Sequence, residues 1–235
     1  MLDYINPMSV PGYTSHAQMK IIEAVCKSIP SDSSILEIGC ALGRSTVGWL
    51  NCINDTHKLD VMDTFTQQSE FTIPSIINHS PGWGPTTPAD IQTYDEIIDY
   101  FKSHTHKETW DIVVKRHSNY KNIKNVYSSK LQDFMKENST QPHWDVVYLD
   151  ALDETEEVIS ALNYFEGAEL ICGDDYNTSR HVNTTIGVHR FLEKKLLEQN
   201  EWALYTFPHC SFFCLTKKYS QVSSQLQKNA YVIHR

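Results

Sequence analysis

The chain has 235 residues, of which 40% are hydrophobic and 21% are charged, and its formal net charge is −9. This length suffices for one large domain with a sizeable core, and the composition is that of a globular protein. The negative charge disfavours binding along a nucleic-acid phosphate backbone, and no apolar stretch approaches the roughly 20 residues that span a bilayer. We therefore predict a single domain over residues 1–235, with neither a nucleic-acid nor a membrane partner.

The N-terminus and the cysteines indicate where the protein works. The first residues lack the basic and then apolar pattern of a signal peptide. The six cysteines are scattered, most of them in apolar runs, and no two form a Cys-x-x-Cys pair. Reduced thiols in a cytoplasmic protein are the simplest interpretation.

The first quarter of the chain alternates between helical and extended patterns. A helix over Ala17–Ile29, capped by Thr14 or Ser15, has apolar residues at helical spacing. The elements that follow are a strand, a helix and a second strand, over Ser34–Ile38, Arg44–Asn51 and Lys58–Asp63.

The middle of the chain is less regular. Four prolines and a Gly-Trp-Gly sequence interrupt Gln67–Asp90, and an amphipathic helix is predicted over Asp90–Lys107. We predict that 67–110 is an insertion that serves as a lid or substrate loop, with a plain solvent-facing insertion as the alternative. Asp111–Lys115 is a helix end or a short strand, and Val126–Ser129 ends the third strand.

The second half of the chain repeats the strand-then-helix order. Strands are predicted over Trp144–Asp150 and Ala168–Asp175, with helices over Glu154–Phe165 and Val188–Glu198. A closing pair of strands, Trp202–Phe207 and Ser211–Thr216, precedes a polar tail with one weak helical stretch. This order predicts an α/β fold with a doubly wound, mostly parallel, Rossmann-like sheet and helices on both faces.

A glycine-rich turn follows the first strand. Glu37 lies in the strand, and Gly39 and Gly43 are separated by three residues before the next helix. Glycines let the backbone pass close to a ligand, and a helix start offers N–H groups to a carboxylate or phosphate. A nicotinamide dinucleotide site requires Gly-x-Gly-x-x-Gly, but the two later positions hold Ala41 and Arg44. An ordinary strand-to-helix turn is the structural alternative.

The Glu-x-Gly-x-x-x-Gly segment resembles the first motif of class I S-adenosylmethionine (SAM)-dependent methyltransferases. The resemblance implies that the two glycines admit the methionine part of SAM and that Glu37 bonds the methionine amine side. Asp63, about 24 residues after the first glycine, is placed to accept bonds from ribose hydroxyls. Ser128 and Ser129 match the positions where the family contacts adenine.

Acidic residues end three of the predicted strands. Asp63, Asp150 and the pair Asp174–Asp175 follow strands whose carboxyl ends share one edge of the sheet. Neighbouring parallel strands are about 4.8 Å apart, so Asp150, Asp174 and Asp175 are predicted to converge. Such carboxylates repel one another unless a cation or a proton intervenes, and hard oxygen ligands suit Mg²⁺. The alternative is that these acids only cap the next turn or helix.

The acidic segments resemble those of particular groups within the SAM-dependent methyltransferases. Tyr-Leu-Asp150 and Gly-Asp174-Asp175-Tyr are similar to the pattern of metal-dependent O-methyltransferases, among them catechol O-methyltransferase, which has Asp-Asn at the pair. The Asp-Asp-Tyr form and Asp63-Thr-Phe resemble the macrocin and mycinamicin sugar O-methyltransferases. The resemblance covers roughly residues 12 to 216, and it implies a last strand inserted antiparallel beside the fifth.

The residue expected to act as a base departs from both groups. Three residues after Asp150, where one group has Lys and the other His, this chain has Asp153. With Glu156 three residues on, Asp153 matches the start of a capping box, and its alternative role is that of a base with a raised pKa. His181 and His189 are close in sequence to the acidic pair and are further candidates, although packing or surface roles are the simpler interpretation.

The sequence therefore predicts a SAM-dependent methyltransferase that transfers a methyl group to a hydroxyl of a sugar- or catechol-like small molecule. Asp150 and Asp153 are the predicted catalytic residues, and Mg²⁺ or another divalent cation is predicted at Asp150, Asp174 and Asp175. Two alternatives remain open: a metal-independent methyltransferase acting on nitrogen or on a macromolecule, and a catalytically silent SAM-binding module. Homo-oligomer formation is also left open.

Overall fold

A computed structural model describes residues 3–66, 94–138, 142–179, 181–199, 201–207, 210–229 and 233–234. The strands in these ranges form one sheet of eight members. They are β1 (Ser34–Ile38), β2 (Lys58–Asp63), β3 (Ile123–Ser128), β4 (Val146–Leu149), β5 (Leu170–Gly173), β6 (Trp202–Thr206), β7 (Phe213–Lys217) and β8 (Ile233–His234).

The sheet is doubly wound around its first strand. Its order is β3-β2-β1-β4-β5-β7-β6-β8, and β3 through β5 in this order run parallel. Strand β7 lies antiparallel between β5 and β6, so the predicted α/β, Rossmann-like fold and its inserted last strand are confirmed. The chain leaves β1 for β2 on one side and later places β4 on the other side, so a crevice opens at the carboxyl ends of β1 and β4.

Helices cover the sheet on both faces. They are α1 (His16–Ser28), α2 (Arg44–Cys52), α3 (Tyr94–Ser103), α4 (His106–Val114), α5 (Leu131–Glu137), α6 (Thr155–Tyr164), α7 (Val182–Leu197) and α8 (Gln221–Asn229). Successive strand residues alternate between two buried cores, because strand side chains point to opposite faces in turn. On β1, Ile35 belongs to the core under α1, α2, α4 and α8, and Leu36 to the core under α5, α6 and α7. None of the helices in the described ranges is long and apolar enough to cross a bilayer.

Local sequence signals explain the elements that were predicted correctly. The bounds of β1 and β2 are those expected. Ser15 caps α1 through a complete capping box with Gln18. The segment 111–115, for which both a helix and a strand were considered, is the end of α4.

Two predicted helices need correction, and two elements were not predicted. The helix expected over Asp90–Lys107 is observed as α3 followed by α4, because Thr105 and Glu108 form a capping box that starts a new helix. Helix α5 and the short β8 were not predicted. Helix α7 begins at Val182 rather than Val188, although its first turn is rich in β-branched residues, which favour helices less.

The predicted lid is only partly described. Residues 67–93 lie outside the described ranges, so the lid prediction for them stays a prediction. The last residues of the segment form the first part of α4, which packs into the core, where Trp110 is 0% exposed. A Cβ placed on Gly43 would lie 3.2 Å from the Trp110 ring, so α4 supports the glycine-rich turn rather than covering it as a loop.

Candidate active site

The glycine-rich turn has left-handed backbone at three positions. The φ angles are +85° at Gly39, +45° at Ala41 and +97° at Gly43. A Cβ on Gly39 would collide with the carbonyl oxygen of Asp150, so this glycine is required by the packing of β1 against the end of β4. Gly43 is the N-cap of α2 and has no side chain, so no cap side chain covers the N–H groups of the first turn.

Asp63 holds this turn in place. Its Oδ2 accepts hydrogen bonds of 3.0 Å from the N–H groups of both Cys40 and Ala41. Its Oδ1 accepts a bond of 2.8 Å from the N–H of Phe65. Asp63, which the sequence predicted as the residue that binds the ribose, therefore also accepts the hydrogen bonds that shape the turn. Sequence reasoning missed this second role.

The predicted adenine contacts lie beside Asp63. Ser128 pairs with Asp63 in the β2–β3 register, and the N–H of Ser129 donates to the Asp63 carbonyl at 3.2 Å. Ser128 is exposed at the carboxyl edge of the sheet. The structure thus brings four of the predicted cofactor residues together: Gly39, Asp63, Ser128 and Ser129.

Glu37 is buried beneath the turn, with 0% exposure. Its carboxyl oxygens accept hydrogen bonds from Ser45 Oγ at 2.5 Å and Thr46 Oγ1 at 2.6 Å, both in the first turn of α2. Burial, helped by the charge of Asp63, raises the pKa of Glu37 to about 7 against the lowering effect of these two bonds. The structure therefore gives Glu37 a supporting role, and its bond to a methionine amine stays a prediction.

Three carboxylates gather at the ends of β4 and β5, as the strand pattern indicated. Asp150, Asp174 and Asp175 line one crevice. Burial, and then the charges of Asp174 and Asp175, raise the pKa of Asp150 well above its usual value, although Tyr148 donates to its Oδ2 at 2.9 Å. Burial and the charge of Asp174 likewise raise the pKa of Asp175 to about 6.

Asp174 is held by neutral donors. The Gln18 side-chain amide donates to Oδ2 and the Ser211 hydroxyl donates to Oδ1, and the N–H of Asp175 also donates to Oδ1 at 2.7 Å. Gln18 and Ser211 are distant from Asp174 in sequence, and no local pattern could have identified them. Within the described ranges, no group of three His, Cys, Asp or Glu residues is arranged to hold a metal ion, and the metal site expected at Asp150, Asp174 and Asp175 stays a prediction.

Asp153 does not cap the following helix. The N-cap of α6 is Glu154, which makes no side-chain bond, and the capping prediction for Asp153 is therefore wrong. The loop is instead tied to α7, because the Asn183 amide donates to the Asp153 carbonyl at 2.9 Å. The Asp153 side chain is 84% exposed, with its Oδ1 3.7 Å from His181 Nδ1.

His181 lies between two acids. Its Nδ1 is 3.6 Å from Asp175 Oδ2 as well as close to Asp153. His189, the second histidine considered, is directed elsewhere: its Nε2 lies 3.0 Å from the Tyr176 hydroxyl. His181 alone of the two therefore belongs to the acidic edge.

The crevice between these acids is small and is lined by both apolar and polar side chains. Its volume of about 10 Å³ is close to what one water molecule needs. Thr184 lines it, and the Thr184 hydroxyl is buried without a hydrogen-bond partner in the described part of the chain. A small polar group bound here would satisfy that hydroxyl.

Two solved structures are similar to the chain over most of its length. One is cofactor-bound Rv0187 from MTB, with a TM-score of 0.53, 14% identity, and coverage of 88% of this chain and 82% of that one. The other is the O-methyltransferase from Bacillus cereus in complex with SAH, with a TM-score of 0.51, 17% identity, and coverage of 89% and 84%. No protein-family model and no curated protein matches the chain. At these identities the likeness establishes the fold. The chain has the Rossmann-like fold of class I methyltransferases.

The pH dependence of stability tests the environment of Glu37. Because its pKa is about 7 in the folded protein and near 4.5 when unfolded, the folded state binds more protons between these values. The free energy of unfolding should therefore fall as pH rises through this window, by roughly 3 kcal/mol from Glu37, and the fall should be complete above about pH 7. Urea denaturation of wild type and Glu37→Gln across the window measures it, since the variant lacks this contribution.

Ser45→Ala is the matched control, because it removes a bond that lowers the pKa of Glu37. It should move the fall in stability to higher pH. A difference between Glu37→Gln and wild type that stays constant with pH would contradict this description of Glu37.

Proposed function

We propose that the protein is a SAM-dependent methyltransferase that acts on a hydroxyl of a small molecule. The observation that carries the proposal is the turn after β1, where left-handed backbone at Gly39, Ala41 and Gly43 is fixed by Asp63 at the switch point of the sheet. The solved O-methyltransferase from Bacillus cereus that shares the fold is in complex with SAH.

The charges around the turn favour SAM over a nucleotide phosphate. Asp63, Asp150 and Asp175 lie at the carboxyl edge of the sheet, and the net charge of the chain is −9. The sulfonium group of SAM is a cation, so these carboxylates attract it and repel a polyphosphate. The first turn of α2 still offers N–H groups to the single carboxylate of the methionine part.

We assign the cofactor contacts to residues on both sides of the turn. Gly39 and Gly43 leave the backbone open to the methionine part, Asp63 accepts from the ribose, and Ser128 and Ser129 face the adenine. Glu37 holds the start of α2 in place by accepting hydrogen bonds from the Ser45 and Thr46 hydroxyls.

The acceptor is assigned to the acidic edge. In the reaction the bond between the methyl carbon and the SAM sulfur breaks, a bond to the acceptor oxygen forms, and the hydroxyl proton leaves. Asp150 would orient the hydroxyl, and the exposed carboxylate of Asp153, beside His181, would take the proton. Alignment of the oxygen with the methyl group supplies most of the acceleration, because methyl transfer requires an in-line approach.

A divalent cation is a separate part of the proposal. Both carboxyl oxygens of Asp174 accept hydrogen bonds, from Gln18 and from Ser211. Asp150 and Asp175 are therefore the carboxylates that would hold Mg²⁺, which binds through one or two carboxylates and water. The cation would offset the repulsion that raises the pKa of both acids, and it would lower the pKa of a bound hydroxyl. The neutral donors on Asp174 favour the second candidate, a methyltransferase that needs no metal.

Cofactor binding should depend on Asp63. Asp63→Asn weakens the acceptor for the turn and for the ribose, so calorimetric titration with SAH should show at least a tenfold loss of affinity, about 1.4 kcal/mol. Asp60→Asn is the matched control on the same strand, because Asp60 bonds Asn125 and Trp144 instead. Equal SAH affinity in the folded Asp63→Asn protein and wild type would refute the assigned site.

Thermal melting with added Mg²⁺ separates the two candidate functions. A cation that binds only the folded protein raises the melting temperature by linkage. Mg²⁺ should therefore raise the melting temperature of wild type but not that of Asp175→Ala, while SAH affinity stays within a few-fold of wild type. An identical response of both proteins to Mg²⁺ would favour the metal-independent candidate.

A further inference from the structure

Two cysteines outside the site lie on neighbouring helices. Cys26 is in the last turn of α1 and is 7% exposed, whereas Cys52 is the last residue of α2 and is half-buried. Neither residue takes part in the proposed reaction. All six cysteines of the chain are free thiols.

Helices α1 and α2 run side by side in the same direction. Both begin at the carboxyl edge of the sheet, since Gln18 in the first turn of α1 bonds Asp174 and α2 begins after Gly43. Both helices therefore end on the opposite side of the molecule.

The contact between the helices sets the register of the two thiols. A Cβ placed on Gly48 would lie 2.5 Å from Met19 Sδ and 3.7 Å from Ile22 Cδ1. Residues four apart lie on the same helix face, so one turn further along each helix Cys26 follows Ile22 and Cys52 follows Gly48. The two cysteines consequently face each other at the close approach of the helices.

The two thiols differ in reactivity. The neighbouring Cys26 thiol lowers the pKa of Cys52, while burial raises the pKa of Cys26. Lys27 also lowers the pKa of Cys52, against the effects of burial and of Glu23. Cys52 is thus the more accessible thiol and the better source of a thiolate, which is the nucleophilic form.

We propose that Cys26 and Cys52 form a redox modification site that a hydroperoxide converts reversibly to a disulfide between α1 and α2. The Cys52 thiolate attacks one peroxide oxygen, the O–O bond breaks, and hydroxide leaves, which gives a sulfenic acid at Cys52. The Cys26 sulfur then attacks the Cys52 sulfur and displaces the hydroxyl group as water, with loss of the thiol proton. In sum, two thiols and hydrogen peroxide give one disulfide and two water molecules.

The crosslink would join the two helices whose first turns carry the site. Gln18 at the start of α1 holds Asp174, and Gly43 at the start of α2 ends the glycine-rich turn. The disulfide closes the intervening chain into a loop and restricts the unfolded state, so the oxidised protein should melt at a higher temperature.

A second cysteine pair provides an internal control. Cys172 and Cys214 are directly opposite each other on β5 and β7, but both are 0% exposed. Proximity alone would oxidise this pair too, whereas a mechanism that begins at an accessible thiolate selects Cys52.

Oxidation of the purified protein with hydrogen peroxide tests the proposal. Intact-mass analysis should show the loss of two hydrogen atoms, peptide mapping should join Cys26 to Cys52, and dithiothreitol should restore both the mass and the lower melting temperature. The mapping uses wild-type protein and does not depend on the folding of any variant.

Two variants separate the roles of the thiols. Cys26→Ser should leave a sulfenic acid at Cys52 that dimedone traps, and Cys52→Ser should give neither the disulfide nor the dimedone adduct. Cys172→Ser should still form the Cys26–Cys52 disulfide. A disulfide that maps to Cys172 and Cys214, or peroxide treatment that yields no intramolecular disulfide in wild type, would overturn the proposal.

Discussion

The turn from β1 to α2 passes over the end of β4 only because residue 39 has no side chain. The Gly39 N–H donates to the Met62 carbonyl on β2 at 2.8 Å, and the Asp150 N–H donates to the Ile38 carbonyl at 2.9 Å. A Cβ on Gly39 would enter the space of the Asp150 carbonyl. Three strands are therefore fixed relative to one another at one residue. This contact places the glycine-rich turn and the acidic edge side by side, and the proposed reaction requires that they be adjacent.

The acids around this contact are held by neutral donors rather than by basic side chains. Asp63 accepts from backbone N–H groups, Glu37 from two hydroxyls, Asp150 from Tyr148, and Asp174 from Gln18 and Ser211. Within the described ranges, no lysine or arginine forms an ion pair with any of these four acids. Hydrogen bonds from neutral groups position a carboxylate but leave the region negative. A negative site of this kind attracts a cationic ligand, and for this reason we propose a cofactor with a sulfonium group.

Much of the fold follows from local sequence signals, because strand runs, glycines and capping residues act over a few positions. The bounds of β1 and β2, the cap at Ser15 and the convergence of acids at β4 and β5 were predictable in this way. The division between α3 and α4 was also encoded locally, in the Thr105 capping box, but the apolar spacing of the longer segment masked it.

What the sequence could not provide was the pairing of distant polar groups. The donors on Asp174 come from α1 and from the approach to β7, and nothing in the local sequence of either segment indicates that contact. The two roles of Asp63, as a fixed acceptor for the turn and as a ribose ligand, also look identical in sequence. Tyr148 is the exception, since it precedes Asp150 by two residues and so shares its face of the strand.

The most direct test of the central claim is a crystal structure of the protein in complex with SAH. We expect SAH at the carboxyl ends of β1 and β2, with its ribose at Asp63, its adenine beside Ser128 and its sulfur towards Asp150 and Asp175. SAH bound at another surface, or no SAH at the carboxyl ends of β1 and β2 at a saturating concentration, would contradict this assignment.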